Sequence, residues 1–536
     1  MRSLVEALDR VKRHLGEKGF LEERPFLDYA AEKLQEVAGG GEGFTAFVSA
    51  PTGYGKTSLS LSIALSELQG GYKTVVTYPL RSLVEDQESK FKSLLSWAGF
   101  SRAAAVRMMG VPETPYFVHP VVLTTVDTLA LMSVGLAPED IAHVYRGLRD
   151  EGRETLGHYL FSWASVWLST IVMDETHLLY DSEKSLSFLA ALLRLSSKVF
   201  GNTVVLMSAT LPRKFSSTLR SYCSGTSGRK PIELSFSEDM DPRFSEERRG
   251  KRYRVNILEL SREHAMDKLI ELLGKSSFKR ALVIFNTRED AQNFYRRLNS
   301  PNKVLLHSLF TAEDRKKKME ELRKMESSDA RYIVVATQVI EAGVDITSDL
   351  IVTELAPAGS LIQRFGRFLR RPGEKCPSPG ECAYVWYASE ELDESEEKYK
   401  VYDKELTLAT LRYLESNPDV SLHIGYESLL EEVYKGDVAV NASYVDRVES
   451  VLAGLSRSSE RALELLIKSS GSLVREGALF TAVTTDGKEV AVGYDFLKKH
   501  CVDCPRSERE AVHRVLKGEK FRVQCSYSSE LGVVCA

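Results

Sequence analysis

One segment constrains this chain of 536 residues more than any other, because it places a glycine-rich loop between an apolar strand and a helix. The loop covers residues 50–57 and reads APTGYGKT; a strand is predicted over residues 45–50 and a helix over residues 58–68. Glycines at such a turn let backbone N–H groups point at an anion, and the helix N-terminus adds positive potential. The segment therefore predicts a site for a phosphate-containing ligand.

The side chains of the loop suggest that this ligand is a nucleotide held with Mg²⁺. Lys56 is placed to reach terminal phosphates, and the hydroxyl of Thr57 can bind the metal ion. The predicted nucleotide-binding residues are Gly53, Tyr54, Gly55, Lys56, Thr57 and Ser58. The alternative is a glycine-rich turn with a chance lysine, and the strand-loop-helix context argues against it.

A second informative segment is acidic. It reads DETH at residues 174–177 and follows the predicted strand 169–174. In a parallel sheet its carboxylates emerge at the same edge as the phosphate loop. We predict that Asp174 holds Mg²⁺ together with Thr57, while Glu175 orients and deprotonates the attacking water. We expect His177 to sense the state of the neighbouring strand. The alternative is an exposed acidic turn at a strand end.

Short apolar strands alternate with helical patterns in two stretches, about residues 44–236 and 253–389, which is typical of parallel α/β sheets. Ten strands are predicted, over residues 45–50, 74–77, 121–124, 169–174, 203–208, 281–285, 304–307, 332–337, 350–354 and 384–387. The predicted organisation is an N-terminal helical lead (1–43), a first lobe (44–240), a polar linker (241–252), a second lobe (253–390) and a C-terminal accessory domain (391–536).

Composition narrows the class of protein further. Hydrophobic residues make up 43% and charged residues 27%, which excludes a disordered chain, and the net charge of −4 excludes a surface uniformly coated for polyanion binding. The absence of a run of about 18 apolar residues predicts a cytoplasmic protein with no membrane partner.

The cysteines give a weaker signal. Seven cysteines in a chain of this length argue against a disulfide framework. Cys501, Cys504, Cys525 and Cys535 could form a four-thiolate zinc site. The last two lack a short paired spacing, so buried or free thiols are the favoured interpretation.

An arginine-rich segment lies in the second stretch, where residues 363–371 read QRFGRFLRR. If the segment is helical, Arg364, Arg367 and Arg370 recur at i, i+3 spacing and lie near one face, with Gln363 beside Arg367. Such a face can present arginines to a γ-phosphate held by the other lobe. A solvated basic helix is the alternative, and the position of the segment after residues 337–346 argues against it.

Taken in order, five motifs resemble those of the superfamily two helicases, whose two RecA-like lobes close on ATP and a nucleic-acid strand. They are APTGYGKT (50–57), DETH (174–177), SAT (208–210), TQVIEAGVDI (337–346) and QRFGRFLR (363–370). Within that superfamily, residues 341–345 and 361–367 are most similar to the CRISPR-associated type I helicase family. The resemblance implies an α/β fold with two tandem RecA-like parallel-sheet lobes plus a C-terminal accessory domain.

The same resemblance implies roles for further residues. Gln363, Arg367 and Arg370 would contact the γ-phosphate, and Asp345 would lie near the ribose. Nucleic-acid contacts are implied for Arg81, Thr125, Thr287, Thr337 and Gly343, and coupling of hydrolysis to strand movement for His177, Ser208 and Thr210. For each threonine, a β-forming residue at a strand end is nearly as good an interpretation.

For function, the family implies an ATP- and Mg²⁺-dependent translocase that moves 3′ to 5′ on single-stranded DNA, unwinds duplex and acts with an RNA-guided surveillance complex. Relatives often carry a nuclease domain with a His-Asp dipeptide, but none of the ten histidines here precedes an aspartate. We therefore expect a separate HD-type nuclease subunit. The alternatives are an RNA helicase, a DNA-repair translocase, or a nucleotide-gated scaffold for the nuclease and the surveillance complex.

Overall fold

The computed structural model describes most of the chain. The described residues are 1, 3–17, 23–109, 111–147, 159–180, 182–209, 211–223, 230–328, 330–341, 344–378, 380–392, 398–419, 421–423, 426–436, 438–452 and 458–535. Two predicted site residues, Thr210 and Gly343, lie outside these ranges.

The first lobe is built on an eight-stranded sheet with the order β4-β3-β5-β2-β6-β7-β1-β8. Its strands are β1 (Thr45–Ser49), β2 (Lys73–Tyr78), β3 (Ala104–Met108), β4 (Val111–Pro112), β5 (Val121–Thr125), β6 (Ser169–Met173), β7 (Val204–Ser208) and β8 (Ile232–Ser235). All neighbouring pairs are parallel except β3 and β4. The central strands are buried along their length, because helices cover both faces of the sheet.

The second lobe contains a six-stranded, fully parallel sheet with the order β11-β12-β10-β13-β14-β9. Its strands are β9 (Asn256–Leu260), β10 (Arg280–Ile284), β11 (Lys303–Leu306), β12 (Tyr332–Ala336), β13 (Leu350–Glu354) and β14 (Ala383–Ala388). The two parallel sheets confirm the predicted α/β fold with tandem RecA-like lobes.

Helices connect the strands of both lobes and precede the first. They are α1 (Leu4–Glu17), α2 (Pro25–Ala38), α3 (Lys56–Gln69), α4 (Arg81–Trp97), α5 (Val126–Ser133), α6 (Ile141–Gly147), α7 (Tyr159–Trp167), α8 (Glu183–Leu195), α9 (Arg213–Tyr222), α10 (Pro242–Gly250), α11 (Ala265–Lys275), α12 (Arg288–Arg297), α13 (Ala312–Ser327) and α14 (Ala358–Phe365).

Each of the ten predicted strands overlaps an observed strand, but β3, β4, β8 and β9 were not predicted. All four lie at or beside a sheet edge, where tertiary pairing rather than a strong apolar pattern selects the strand. The predicted linker also differs, because helix α10 fills most of it. Pro242 begins this helix, and the Asp241 side chain caps it by accepting a hydrogen bond from the N–H of Phe244 at 3.0 Å.

The described residues of the C-terminal region add six helices and three small sheets. Its elements are β15 (Lys398–Tyr399), β16 (Tyr402–Asp403), α15 (Lys404–Ser416), α16 (Tyr426–Val433), α17 (Ala442–Leu452), α18 (Ser458–Lys468), β17 (Phe480–Val483), β18 (Glu489–Val492), α19 (Tyr494–His500), α20 (Glu508–Leu516), β19 (Phe521–Arg522), β20 (Cys525–Ser528) and β21 (Gly532–Cys535). The region contacts both lobes. Arg475 pairs with Asp127 of the first lobe at 2.8 Å, and Gln292 of the second lobe donates to the carbonyl of Val533 at 2.9 Å.

The expectation of buried or free thiols is wrong for Cys525 and Cys535 and holds for Cys501 and Cys504. Disulfides join Cys376 to Cys382 and Cys525 to Cys535, and the second bridge links the antiparallel strands β20 and β21. Sequence spacing could not predict this pairing, because the β20–β21 hairpin alone brings the two cysteines opposite each other. Cys223, Cys501 and Cys504 are free.

Among the described residues, no helix combines the length and apolar character needed to cross a lipid bilayer.

Candidate active site

The predicted phosphate loop lies at the carboxyl edge of the first sheet, between the end of β1 and the start of α3. Gly53 and Gly55 have φ angles of 79° and 101°, a left-handed backbone that costs glycine little and other residues more. The N–H of Ala50 donates to the carbonyl of Ser208 at 3.1 Å, which ties the loop to the end of β7. The loop therefore has the backbone shape that a phosphate site requires.

Lys56 is buried, and its ammonium group donates to two carbonyls of its own loop. The distances from Nζ are 3.0 Å to the oxygen of Ala50 and 3.4 Å to that of Pro51. Phosphate oxygens carry full negative charge and are stronger acceptors than these carbonyls. Thr57 and Ser58 follow in the first turn of α3, where the N–H of Ser58 donates to the carbonyl of Gly55 at 2.8 Å.

The side chain of Tyr54 faces the core and not the ligand space of the loop. Its ring packs against Phe26, Phe236 and Phe244, and its hydroxyl donates to Asp241 at 3.1 Å. The backbone N–H of Tyr54 donates to the carbonyl of Pro51 at 3.2 Å. The tyrosine thus anchors the loop to the segment that leads into α10.

Asp174 and Glu175 follow β6 directly, next to the phosphate loop. Burial, reinforced by the charge of Glu175, raises the pKa of Asp174, while the nearby Lys56 ammonium opposes this rise. The N–H of Glu175 donates to Asp174 Oδ1 at 2.9 Å. Glu175 itself has a φ of 57°, and such a left-handed non-glycine residue costs about 1 to 3 kcal/mol. The fold holds this carboxylate in a position that local backbone preference disfavours.

His177 lies beside Glu175, with Nδ1 at 3.4 Å from Glu175 Oε2. Burial lowers the pKa of His177 to about 4, so the imidazole is uncharged at neutral pH. Three atoms here have no hydrogen-bond partner within the described part of the chain. They are the two ring nitrogens of His177 and Oε2 of Glu175. Buried polar atoms without partners are rare in folded proteins, and here they line the expected ligand space.

These residues fit Mg²⁺ bound with a nucleotide. Asp174 offers a buried carboxylate and Thr57 a hydroxyl, and oxygen donors of this kind are what Mg²⁺ prefers. A cation there would favour the charged form of Asp174, whose pKa burial otherwise raises.

The arginine-rich segment is only partly helical, which corrects the predicted common face of Arg364, Arg367 and Arg370. Helix α14 ends at Phe365, and Gly366 forms its C-cap, so the last two arginines follow the helix. The side chain of Arg364 is fully buried in the second lobe. It donates at 2.8 to 3.0 Å to Glu341 Oε1, the Thr353 hydroxyl, the Glu354 carbonyl, Asn286 Oδ1 and the Tyr402 hydroxyl.

Arg367 donates from Nε to the carbonyl of Ile340 and from Nη2 to that of Glu341, both at 3.0 Å, and its charge and that of Arg370 act on Glu175 of the first lobe. Burial, with a contribution from Arg370, lowers the pKa of Arg367 to about 9. Burial alone would raise the pKa of Glu175, but the charges of Lys56, Arg367 and Arg370 outweigh burial and lower it. Positive charge from both lobes therefore converges on one carboxylate.

The remaining predicted nucleotide contacts have mixed placements. Gln363 is buried, and its Nε2 has no hydrogen-bond partner among the described residues. The Asp345 carboxylate is 80% exposed and pairs with Arg370 at 3.0 Å. Asp345 and Arg370 therefore share one rim of the site.

The predicted nucleic-acid residues lie at strand-to-helix turns of both lobes. Arg81 begins α4, where it is 4.0 Å from Glu85. Thr125 and Thr287 cap α5 and α12 by accepting hydrogen bonds from backbone N–H groups, and Thr337 precedes a short 3₁₀ turn. The hydroxyls of Thr125 and Thr287 thus serve as helix caps. The N-termini of the two capped helices keep their affinity for phosphate.

Two residues near the site were not predicted from the sequence. Arg315 of the second lobe reaches Glu85 of the first at 3.4 Å, across 230 residues of chain. Tyr402, beyond the second lobe, completes the partners of Arg364. Neither residue belongs to a recognised motif, and only the tertiary structure brings them to the site.

The C-terminal cysteines do not form a metal centre in this structure. The ligand atoms of His500, Cys525 and Cys535 lie within 4.8 Å of one another, but the two sulfurs are bonded together, which leaves the imidazole as the one free ligand of this group.

Comparisons with known proteins agree with this geometry. Residues 30–218 match the family described as DEAD/DEAH box helicase, and residues 277–373 match the C-terminal part of the CRISPR-associated nuclease/helicase Cas3. A CRISPR-associated nuclease/helicase Cas3 from Methanothermobacter thermautotrophicus is 26% identical over 423 residues, which are 73% of this chain and 45% of that protein. The chain spans about half the length of the curated relatives it matches.

Solved structures show the same fold. The crystal structure of T. fusca Cas3-ATP aligns with a TM-score of 0.63 and 18% identity, covering 97% of this chain and 70% of that one. A structure titled "CRISPR RNA-guided surveillance complex, pre-nicking" aligns with a TM-score of 0.60 and 18% identity, covering 96% and 68%.

The fold has two RecA-like lobes, and the first of them is similar to the DEAD/DEAH box helicases, which places the resemblance in the DExH class of superfamily two. Within that class, the relatives that the chain resembles are the CRISPR-associated Cas3 helicases.

Proposed function

We propose that this protein is an ATP-driven motor that moves 3′ to 5′ along single-stranded DNA and unwinds duplex in CRISPR type I interference. The observation that carries this proposal is the convergence of Lys56, Arg367 and Arg370 on Glu175, because it unites a phosphate loop, a candidate base and arginines from the opposite lobe. A protein that only binds nucleotide has no need of all four groups.

The mechanism follows from the placement of these side chains. Lys56 exchanges its two loop carbonyls for phosphate oxygens of ATP. Glu175 orients the attacking water and takes its proton, since neighbouring cations keep this carboxylate charged. Arg367 and Arg370 stabilise the charge that spreads over the transferred phosphoryl group. Mg²⁺, held by Thr57 and Asp174, would add charge neutralisation when bound.

The proposed coupling of ATP hydrolysis to movement along the strand depends on two short contacts between the ATP site and neighbouring residues. The carbonyl of Ser208 accepts from the loop residue Ala50, and His177 adjoins Glu175. We propose that these two residues pass the state of the nucleotide to the strand-binding edge, where Arg81 and Thr337 lie.

The choice of DNA over RNA is tested by stimulation of ATP turnover. We expect single-stranded DNA to raise the rate several-fold more than RNA of the same sequence. The Lys56→Ala variant serves as the blank for contaminating ATPases. Stronger stimulation by RNA would identify an RNA helicase, and nucleotide-dependent partner binding without turnover would identify a scaffold.

We further propose two protein partners, an RNA-guided surveillance complex and a separate HD-type nuclease. The first proposal draws on the structural relative from a surveillance complex, and the second on the lack of a His-Asp dipeptide in the sequence. Cleavage of target DNA only when the nuclease and the surveillance complex are both added would support them. Degradation by the purified chain alone would contradict the second.

A further inference from the structure

The end of helix α10 and the residues after it form a junction of three parts of the molecule that are distant in sequence. This junction, residues 248–253, contacts the phosphate loop, the arginine-rich segment of the second lobe and the start of the accessory region. Its contacts run through two cationic side chains, Arg248 and Lys251.

Arg248 bridges the phosphate loop and the C-terminal region with a single guanidinium group. Nη1 donates to the carbonyl of Thr52 at 3.2 Å, and Nε donates to the carbonyl of His423 at 2.8 Å. The guanidinium also lies 5.3 Å from the ring of Phe244, which fixes its plane. Because the guanidinium is planar and its donors diverge, one arginine can hold two carbonyls in a set relation.

Lys251 extends the junction to the second lobe. Its buried ammonium donates to the carbonyl of Arg370 at 3.3 Å, and its own carbonyl accepts from the Ser421 hydroxyl at 3.0 Å. Two residues further on, the Tyr253 hydroxyl lies 3.0 Å from Nδ1 of His423. The same short segment thus touches the arginine-rich segment of the second lobe and the chain segment before α16.

The phosphate loop and the arginine-rich segment also meet directly at this place. A Cβ on Gly366 would lie 3.3 Å from Oγ1 of Thr52, the residue whose carbonyl Arg248 holds. A shift of the loop on nucleotide binding would therefore move the Thr52 carbonyl, to which Arg248 donates. This carbonyl belongs to the residue that lies beside Gly366, the residue before Arg367.

We propose that Arg248 is a positioning residue that couples the nucleotide state of the phosphate loop to the accessory region through His423. This inference rests on the proposed ATPase function and assigns it a regulatory connection. When ATP brings the two lobes together, Arg248 transmits the position of Thr52 to the segment before α16. Because such coupling is reciprocal, a partner bound to the accessory region would alter ATP affinity through the same contact.

The test compares Arg248→Ala with Arg249→Ala in the full chain. Arg249 lies on the same helix but is exposed and pairs only with Glu238 among the described residues, so it is a matched control. We expect Arg248→Ala to lower the kcat of DNA-stimulated ATP hydrolysis about tenfold with little change in KM, because a small misplacement of catalytic groups slows chemistry. Arg249→Ala should behave as wild type.

A second readout separates coupling from simple stabilisation. Hydrogen exchange of the α16 amides is measured with and without AMPPNP. Wild type and Arg249→Ala should show nucleotide-dependent protection in α16, and Arg248→Ala should lose it. Equal protection in all three proteins would overturn the inference.

The inference can still be tested if the wild type does not hydrolyse ATP or if the Arg248→Ala variant does not fold. If wild type binds AMPPNP but does not turn over ATP, the proposed function fails, while the exchange data still test the coupling. If Arg248→Ala does not fold, Arg248→Lys replaces it, because a lysine ammonium cannot span both carbonyls in the arginine geometry. Wild-type turnover and protection in Arg248→Lys would then overturn the inference.

Discussion

At the scale of single residues, the site separates side chains that work on the ligand from those that hold the fold. Glu175 is strained, partly exposed and surrounded by cations, whereas Arg364 is fully buried with a hydrogen-bond partner on every donor side. The two residues belong to equally recognisable motifs. Their environments, and not their motifs, separate their roles.

The role of Glu175 leads to a prediction on catalysis. Glu175→Gln keeps the shape of the side chain but removes the proton acceptor, so we expect ATP turnover to fall at least about a hundredfold. Binding of AMPPNP should change little, because Lys56 and the loop amides are intact. Steady-state hydrolysis and nucleotide titration check this, and turnover within about threefold of wild type would contradict the assignment.

The burial of Arg364 leads to a prediction on stability. Arg364→Ala leaves the buried Glu341 carboxylate without its ion partner, which costs about 3 to 5 kcal/mol in the free energy of unfolding. Arg367→Ala should cost far less and instead reduce ATP turnover. Urea denaturation of both variants compares them. Equal loss of stability would show that Arg367 is a structural residue as well.

At the scale of elements, the docking of the β20–β21 hairpin on the second lobe depends on a neutral histidine. His307 Nε2 donates to the carbonyl of Leu531 at 2.8 Å, and Nδ1 accepts from the N–H of Leu309 at 3.2 Å. Burial, supported by the nearby charges of Arg288, Lys318 and Arg315, lowers the pKa of His307 to about 3. A proton on Nδ1 would remove the acceptor and place a charge in this contact.

This contact predicts a pH dependence. The folded pKa lies below the unfolded value of 6.5, so the unfolded chain binds more protons as pH falls through 6.5, and stability decreases toward acid. We expect His307→Gln, which keeps a donor and an acceptor, to remove about 2 kcal/mol of the loss between pH 7 and pH 5.

Chemical denaturation at both pH values measures the effect of His307→Gln. His264→Gln is the control, because His264 is exposed. Parallel pH profiles for wild type and His307→Gln would mean that the hairpin contact does not titrate.

At the scale of the whole molecule, the near-neutral charge bears on how the proposed motor would hold a strand. With a net charge of −4 and candidate contacts formed mainly by hydroxyls and helix N-termini, few counterions are released on binding. The slope of log K against log salt is about −0.7 for each phosphate neutralised on a single strand. We expect a slope no steeper than about −3, measured by fluorescence anisotropy. A slope near −7 would indicate an extended basic surface.

The sequence predicted the fold well where the chain's own pattern decides it. Buried parallel strands such as β2 and β6 read as short apolar runs followed by motif residues, and each was found within a residue or two. Edge strands and helix α10 were missed, because the strands have only two to five residues, the helix is polar, and the structure of both depends on pairing or packing with distant parts. The positions of the phosphate loop and of Asp174 and Glu175 could be predicted because each follows a strand whose direction the fold class sets.

The sequence by itself determined the class of protein, because a phosphate loop, an acidic strand end and an arginine-rich segment demand particular residues at short spacing. The tertiary structure alone decided which members of each motif face the ligand. It turned Tyr54 and Arg364 inward, aligned Arg367 and Arg370 with Glu175, and joined Thr52 to His423 through Arg248. These outcomes depend on side-chain burial and contacts between residues far apart in the chain, which spacing along the sequence does not encode.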